Sequence, residues 1–272
     1  MAWPDPSPRR RWTLFALLAA IALLINLPVI LMVLNSFQTT EQLTSARNLI
    51  PREPTLANYV YLNTRTSFWT YLSNSMIISL GSTVASAALA ALAGYALSRY
   101  RGPVTSTYSR SLFVVQMFPI ILALIPLFVL FRTLGLINSP LSVIILYTVV
   151  HLPFATWMAR SFFDSIPQEL EEAALIDGCS RWKAFLHITM PHLKNISIVL
   201  CLLMTIWTVN DFDTPWLLTQ GGPANSTENL VLLAYRYTFG RNNVGMGSAI
   251  SFTTLLILMV LIVLMLRAQR ER

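Results

Sequence analysis

Four aromatic or polar residues follow one another near the end of a long apolar segment: Trp207, Asn210, Asp211 and Asp213. An aromatic ring offers a flat surface to the apolar face of a sugar, and amide and carboxylate oxygens bind hydroxyl groups. Ionisable residues inside a membrane segment are also typical of proton pathways. Because Pro215 follows directly, the aspartates could instead cap a bent helix end and face water. The pattern therefore indicates a polar solute site, a proton carrier or a helix cap.

Two other groups supply similar chemistry in neighbouring apolar segments. Met117 and Phe118 directly precede Pro119, while Tyr147 and His151 are four residues apart and share a helix face. Each group could line the path of a solute. The alternative for each is ordinary packing, with the histidine held by a hydrogen bond.

The sequence offers little support for an enzyme. Its three histidines are scattered, and it contains no His-Glu-x-x-His, Gly-x-Ser-x-Gly or Gly-x-x-x-x-Gly-Lys-Ser/Thr motif. Cys179 and Cys201 lack the spacing of a metal site or a disulfide framework. We therefore predict no catalytic residue, no metal and no cofactor bound by this chain.

The elements that must position these residues are membrane spans. Of the 272 residues, 55% are apolar and 11% are charged, whereas about 25% charged residues is usual for a soluble domain. Stretches long enough to cross a hydrocarbon core of about 30 Å recur at 12–34, 71–97, 111–131, 141–158, 196–218 and 247–266. The sequence predicts an all-α membrane protein with six transmembrane helices.

The distribution of basic residues predicts the orientation. With the N-terminus inside, thirteen of the 19 Lys and Arg residues are cytoplasmic and six are outside, so both termini are expected in the cytoplasm. No basic stripe carries interleaved aromatic residues, so the partner is the lipid bilayer and not nucleic acid. The predicted layout has cytoplasmic tails 1–11 and 267–272, a membrane domain 12–266, extracytoplasmic segments 35–70 and 219–246, and a cytoplasmic loop 159–195.

That loop has the pattern of a helical hairpin. Pro167 precedes a helix predicted over 168–176, Gly178 ends it, Ser180 caps a second short helix, and Pro191 marks the return to the membrane. The opening turns of the first helix carry three acidic residues, namely Glu169, Glu171 and Glu172. An anionic membrane surface would repel these carboxylates, whereas a basic groove on a protein would attract them. The hairpin is therefore predicted to dock on a soluble partner.

One motif spans the hairpin: Glu172-Ala173-Ala174, three residues, Gly178, nine residues, and Ile188-x-Met190-Pro191. This motif resembles the EAA loop of ABC importer permeases, in which Leu usually occupies the position of Met190. The preceding segment 162–170 is similar to the corresponding segment of the carbohydrate-type importers, as is Ala96-Leu97-Ser98-Arg99.

The resemblance implies a type I-like permease subunit in a bacterial or archaeal cytoplasmic membrane that works by alternating access. Its partners would be a second homologous permease subunit, two ATP-binding cassette subunits that bind ATP and Mg, and an extracytoplasmic solute-binding protein. The cargo would be a sugar or a polyol-type solute. By the same resemblance, the residues that couple to the ATPase are Glu172, Ala173, Ala174, Asp177, Gly178, Trp182 and Pro191.

The candidate substrate pathway comprises the membrane residues introduced above: Trp207, Asn210, Asp211, Asp213, Met117, Phe118, Tyr147 and His151. A proton-coupled secondary transporter is the competing hypothesis. It would use Asp211 or Asp213 as the proton carrier and would need neither an ATPase nor a coupling loop.

Overall fold

The computed structural model describes residues 8–45, 50–136, 139–222 and 225–270. All regular elements in these ranges are helical, which confirms the predicted all-α class. The α-helices are α1 (Pro8–Ser36), α2 (Thr40–Ser45), α3 (Ala57–Arg65), α4 (Phe68–Arg99), α5 (Pro103–Met117), α6 (Ile120–Thr133), α7 (Pro140–Ser165), α8 (Glu169–Ile176), α9 (Arg181–Ala184), α10 (Met190–His192), α11 (Lys194–Asn210), α12 (Asp213–Leu218), α13 (Leu230–Tyr235) and α14 (Val244–Arg270). Two π-helical segments, Phe185–Thr189 and Arg236–Gly240, follow α9 and α13.

Several of these helices are long and apolar enough to cross a membrane. Within the described ranges there are four: Arg9–Ser36, Phe68–Arg99, Pro140–Ser165 and Val244–Gln269. Two bent helix pairs raise the number to six if each pair forms one span. The side chains of α1 from Arg9 to Ile30 are exposed on every side, as is typical of an apolar membrane span. The chain is therefore a multi-pass membrane protein.

The helix predicted over 111–131 is broken into α5 and α6, which meet at 99°. Phe118 lies between them with extended backbone angles (φ −81°, ψ 124°). A residue before proline avoids the helical conformation because it clashes with the proline ring, and Pro119 has no N–H to continue the helix. A hydropathy pattern does not register this break.

The helix predicted over 196–218 is also interrupted. Helix α11 ends at Asn210, Asp211 is extended (φ −75°, ψ 123°), and α12 begins at Asp213. At its other end, Ser197–Asn210 makes an angle of 70° with Arg181–His192.

The chain divides into two compact units. The first comprises Met1–Thr66 and Ala234–Thr253. In it, the Asn58 side-chain amide donates to the carbonyl oxygens of Ser36 (3.0 Å) and Gln38 (2.8 Å), and Tyr59 Oη donates to Ser36 Oγ (2.6 Å). These bonds hold α3 against the end of α1. The two segments predicted as extracytoplasmic both contain short helices: α2 and α3 lie in 35–70, and α13 lies in 219–246.

The second unit comprises Ser67–Leu233 and Thr254–Arg272, and the pairing of α4 with α7 dominates it. The face of α4 toward its neighbours carries small buried residues, namely Ser75, Ser79, Ser82, Ser86, Ala90 and Gly94. Small residues let helix backbones approach closely in membranes. At Gly94 the approach is so close that an added Cβ would lie 2.8 Å from both Ala159 Cβ and Arg160 N.

Candidate functional site

The polar hairpin after α7 has the predicted helix, glycine turn and second helix. Gly178 adopts a left-handed backbone (φ +89°). Its N–H donates to the Leu175 carbonyl oxygen (3.1 Å), and the N–H of Cys179 donates to that of Ala174 (2.9 Å). This pair of bonds is a Schellman motif, which satisfies the free carbonyls at a helix end and favours glycine at the left-handed position.

The second helix of the hairpin begins as predicted. Ser180 is its N-cap, and the Ser180 Oγ accepts a hydrogen bond from the Lys183 N–H (3.3 Å). Both predicted helix boundaries in this hairpin therefore follow from residues whose local chemistry specifies them.

Most of the proposed coupling residues are accessible on the hairpin. Six of them are exposed and Ala174 is buried; the exposed six are Glu172, Ala173, Asp177, Gly178, Trp182 and Pro191. Two large apolar side chains stand out beside these carboxylates, because Ile176 is 86% exposed and Trp182 is 61% exposed. A surface that mixes a large aromatic, an aliphatic and acidic groups is suited to a protein partner.

The prediction that all three acidic residues of the hairpin face a partner is wrong for Glu171, which is bound within the chain. Its Oε1 accepts hydrogen bonds from Arg99 Nη2 (2.9 Å), Arg99 Nε (3.1 Å) and Thr189 Oγ1 (2.9 Å). Its Oε2 accepts from Tyr95 Oη (2.8 Å). The side chains of Arg99 and Glu171 are only 8% and 13% exposed. One carboxylate thus joins α8 to the end of α4 and to the π-helical segment Phe185–Thr189.

Arg99 also binds the end of α7. Its Nη1 donates to the Phe163 carbonyl oxygen (2.9 Å) and its Nη2 donates to that of Ile166 (3.2 Å). Arginine near a helix C-terminus satisfies carbonyls that have no partner within the helix. The only sequence signal for this role was the position of Arg99 in the motif 96–99.

The electrostatics of Glu171 favour its ionised form. Burial alone would raise the pKa of this carboxyl, but the hydrogen bonds from Arg99, Tyr95 and Thr189 outweigh burial and lower the pKa below its ordinary value. Beside the ion pair lies a cleft of about 200 Å³, whose lining includes Tyr100, Glu172 and Arg181. Both the anchored Glu171 and the exposed Glu172 line this cleft.

A larger cavity of about 990 Å³ lies between α5, α6, α7 and α11. Its walls are mainly apolar, and its polar or aromatic lining residues include Gln116, Phe118, His151, Phe154 and Trp207. Three of the predicted pathway residues, Phe118, His151 and Trp207, therefore line one cavity.

The aromatic rings at this cavity are in contact with Tyr147, which lines a separate, smaller pocket and not the cavity itself. The rings of Tyr147 and His151 are stacked with centroids 5.9 Å apart, and Trp207 lies 6.5 Å from His151 and 5.1 Å from Phe154. Tyr147 and His151 are 2% and 7% exposed. The Tyr147 hydroxyl and His151 Nδ1 are buried and make no hydrogen bond within 3.5 Å to a described residue, and the polar groups that face the Tyr147 hydroxyl belong to Asp211 and Thr214.

The remaining predicted pathway residues are placed less favourably. Asp211 Oδ1 accepts from the N–H groups of Asp213 (3.0 Å) and Thr214 (3.5 Å), so this side chain caps α12. Asn210 Nδ2 donates to the Ile206 carbonyl oxygen (2.8 Å), and both Asn210 and Asp213 are exposed. Met117 is 83% exposed at the break after α5 and does not line the cavity.

The helices define a multi-span membrane protein that carries an exposed polar hairpin. The family model described as "Binding-protein-dependent transport system inner membrane component" matches residues 86–270. The chain belongs to this family, and it is a permease subunit of a transporter and not an enzyme.

Curated relatives agree with this family. The chain is 38% identical over 177 residues to the sulfoquinovosyl glycerol transport system permease protein SmoH of Agrobacterium fabrum. The matched region covers 64% of this chain and 62% of that relative. It is 35% identical over 199 residues to the inner membrane ABC transporter permease protein YcjP of Escherichia coli (71% and 70%). It is 28% identical over 233 residues to the diacetylchitobiose uptake system permease protein NgcG of Streptomyces coelicolor (82% and 77%).

Among solved structures, a chain of a bacterial ABC transporter involved in the import of the acidic polysaccharide alginate has the same fold. The TM-score is 0.80 at 21% identity, and the match covers 100% of both chains. A chain of the MetNI methionine ABC transporter matches with a TM-score of 0.53 at 19% identity over 78% of this chain. The fold is thus that of an ABC importer permease.

Proposed function

We propose that this chain is one of two permease subunits of an ATP-driven, binding-protein-dependent importer for a sugar or polyol-type solute, in a bacterial or archaeal cytoplasmic membrane. The observation that carries the proposal is the hairpin. Its Glu171 is tied to the membrane helices, while Glu172, Ile176 and Trp182 project outward for a partner. The family membership of the chain supports this assignment.

The proposed topology counts each bent helix pair as one span, which gives six. Both termini and the hairpin are then cytoplasmic, in keeping with the excess of Lys and Arg on that side. The long segments 35–70 and 219–246 face outward, where a solute-binding protein would deliver the cargo.

The proposed ATPase partner seats the hairpin in a groove of its own. Exposed Glu172 and Asp177 offer carboxylates to basic side chains of that groove, and Trp182 offers an aromatic anchor. ATP and Mg belong to the two ATPase subunits, because this chain has no phosphate loop. Closure of the ATPases would then move the hairpins and switch the membrane domain between inward-facing and outward-facing states.

The proposed cargo class rests on the relatives and on the cavity. The names of SmoH and NgcG refer to sugar-containing solutes. In this chain, Trp207 and Phe154 offer aromatic faces at the cavity, and His151 Nδ1 offers an unused polar atom. Such a combination binds the apolar face and the hydroxyl groups of a sugar.

The competing hypothesis of a proton carrier finds no support in the geometry of Asp211. Its carboxylate oxygen accepts hydrogen bonds from two backbone N–H groups and so serves as the cap of α12. Asp213 is exposed at the start of the same helix.

The test is to purify the tagged chain gently from its native membrane and to identify the proteins that accompany it by mass spectrometry. We expect a phosphate-loop ATPase and a second six-span protein. Glu172→Arg should reduce ATPase recovery at least about tenfold, since charge reversal opposes a basic groove. Glu53→Arg, an equal change at an exposed position of the other unit, should not. Recovery of the chain alone would overturn the proposal.

A further inference from the structure

The hydrogen bonds of the Glu171 carboxylate join α8 to helices that are distant from it in the sequence. Donors to its carboxylate come from α4 (Arg99 and Tyr95) and from the π-helical segment after α9 (Thr189). Through Phe163 and Ile166, Arg99 adds the end of α7. We call this set the Arg99–Glu171 joint: Tyr95, Arg99, Phe163, Ile166, Glu171 and Thr189.

The joint is buried, which makes it stiff. Arg99 and Glu171 have lost most of their contact with water, so separating them would leave a buried charge without its partner. Hydrogen bonds to charged groups are shorter and stronger than those between neutral groups. Around the joint, Tyr95 packs edge-to-face on Phe163 (5.4 Å) and Phe185 (4.8 Å), so apolar contacts hold the same elements together.

The helices held by the joint lead to the cavity. Helix α7 runs from Ser165 back to His151, a distance of roughly 21 Å along a helix at 1.5 Å per residue. Gly94 holds α4 against α7 at Ala159, between the joint and the cavity. A displacement of α8 therefore reaches both helices without passing through a flexible loop.

We infer that Arg99 and Glu171 are positioning residues that make the hairpin move as one body with α4 and α7. Docking on the ATPase uses the exposed side of the hairpin, whereas transmission of its motion to the membrane cavity uses the buried joint. This inference rests on the proposed function. It separates two roles for adjacent glutamates, with Glu172 binding the partner and Glu171 conveying the movement.

The experiment uses the assembled transporter reconstituted in liposomes with its binding protein. The variants are Glu171→Gln and Arg99→Lys, which keep size and weaken the joint. The matched controls are Glu41→Gln and Arg65→Lys, exposed residues at the first and last turns of α2 and α3. Three quantities are measured: ATPase recovery, cargo imported per ATP hydrolysed, and the rotational mobility of a nitroxide on Cys179.

Cys179 is a natural reporter because it is exposed in the hairpin turn. The half-buried Cys201 and any cysteines of the other subunits are replaced by Ser in every sample so that only the turn is labelled. We expect normal ATPase recovery in all variants, a fall of roughly tenfold in cargo imported per ATP for the two joint variants, and a more mobile label in both. The two controls should match the parent in all three measurements.

Thr189→Val and Tyr95→Phe each remove one hydrogen bond from Glu171 and provide milder variants if Glu171→Gln fails to fold. Both should show the same changes at smaller amplitude. An unchanged ratio of cargo to ATP, or an unchanged label mobility, in assembled variants would overturn the inference while leaving the proposed function intact. If no ATPase copurifies with the unmodified chain, that result would instead contradict the proposed function.

Discussion

Glu171 and Glu172 are neighbours in α8, yet one is bound by Arg99 in the interior and the other is exposed. Because four hydrogen bonds favour the ionised form of Glu171, its pKa in the folded protein lies below that in the unfolded chain. The carboxylate therefore contributes stability at pH values above its unfolded pKa of about 4.3, and this contribution is lost as the pH falls through the folded pKa.

The corresponding prediction compares Glu171→Gln with the parent by thermal unfolding in detergent. At pH 7 the free energy of unfolding of the variant should be about 2 kcal/mol below that of the parent, which corresponds to roughly 4 °C in apparent Tm. The reason is that hydrogen bonds to a charged group are replaced by neutral ones. The difference should shrink as the pH is lowered below about 4. Glu172→Gln, which changes an exposed carboxylate, is the control. A pH-independent difference would show that the charge of Glu171 is not what stabilises the joint.

Gly94→Leu tests the close packing of α4 on α7. A Cβ there would meet Ala159 Cβ and Arg160 N at 2.8 Å, so the helices must separate. Overpacking should destabilise the folded protein by about 1–3 kcal/mol, whereas replacing glycine in a helix stabilises it by about 1 kcal/mol. We therefore expect the apparent Tm of Gly94→Leu to fall. Gly102→Leu is the control, because its backbone is extended (φ 172°) and nothing lies within 4 Å of an added Cβ. Equal apparent Tm values for the two variants would contradict this packing.

Local signals in the sequence were sufficient for the hairpin. Gly178 and Ser180 act on residues within five positions of themselves, so their types alone specify a helix end and a helix start. The Arg99–Glu171 pair spans 72 positions, and its partners become visible only when α4 and α7 are packed. The break at Phe118 was readable from Pro119, but the apolar pattern across it continues without a change.

The pathway residues illustrate the same limit. Tyr147 and His151 were grouped by helical spacing, and their stacking follows from that spacing. Trp207 joins them from another helix, a tertiary contact that no local pattern encodes. The sequence leaves three interpretations open for Asp211, namely a solute site, a proton carrier or a helix cap, and the geometry of α12 favours the cap.

Tyr147→Phe should separate a transport role from a structural one. The hydroxyl makes no hydrogen bond within 3.5 Å to a described residue, and only Asp211 and Thr214 offer polar groups facing it among those residues, so its removal should leave the apparent Tm nearly unchanged. If cargo uses this hydroxyl, the KM for transport should rise roughly fivefold, which corresponds to about 1 kcal/mol. Tyr59→Phe removes a hydroxyl that donates to Ser36 Oγ and should lower stability by about 1 kcal/mol without changing KM. An unchanged KM in Tyr147→Phe would assign this residue to packing.

Asp211→Asn distinguishes a helix cap from a proton carrier. The amide oxygen of Asn can still accept from the N–H groups of Asp213 and Thr214, so cargo uptake and stability should remain close to those of the parent. Asp211→Ala should lower the free energy of unfolding by about 1 kcal/mol because the cap of α12 is removed. Uptake is measured in intact cells with and without a collapsed proton gradient. Loss of uptake in the Asn variant, together with sensitivity to the gradient, would restore the proton-coupled hypothesis.

Gly178→Asp should leave the transporter partly assembled but abolish the stimulation of ATP hydrolysis by cargo. The left-handed backbone at φ +89° strains any L-residue by roughly 1–2 kcal/mol. The new charge also lies in the turn between α8 and α9, the two helices of the hairpin. Gly135→Asp is a matched control, because Gly135 is also left-handed (φ +69°) and, like Gly178, has nothing within 4 Å of an added Cβ. Since Gly135 lies in the turn after α6, the control imposes similar strain away from the hairpin. Native stimulation in Gly178→Asp would contradict the coupling assignment, and equal losses in both variants would reduce the effect to general backbone strain.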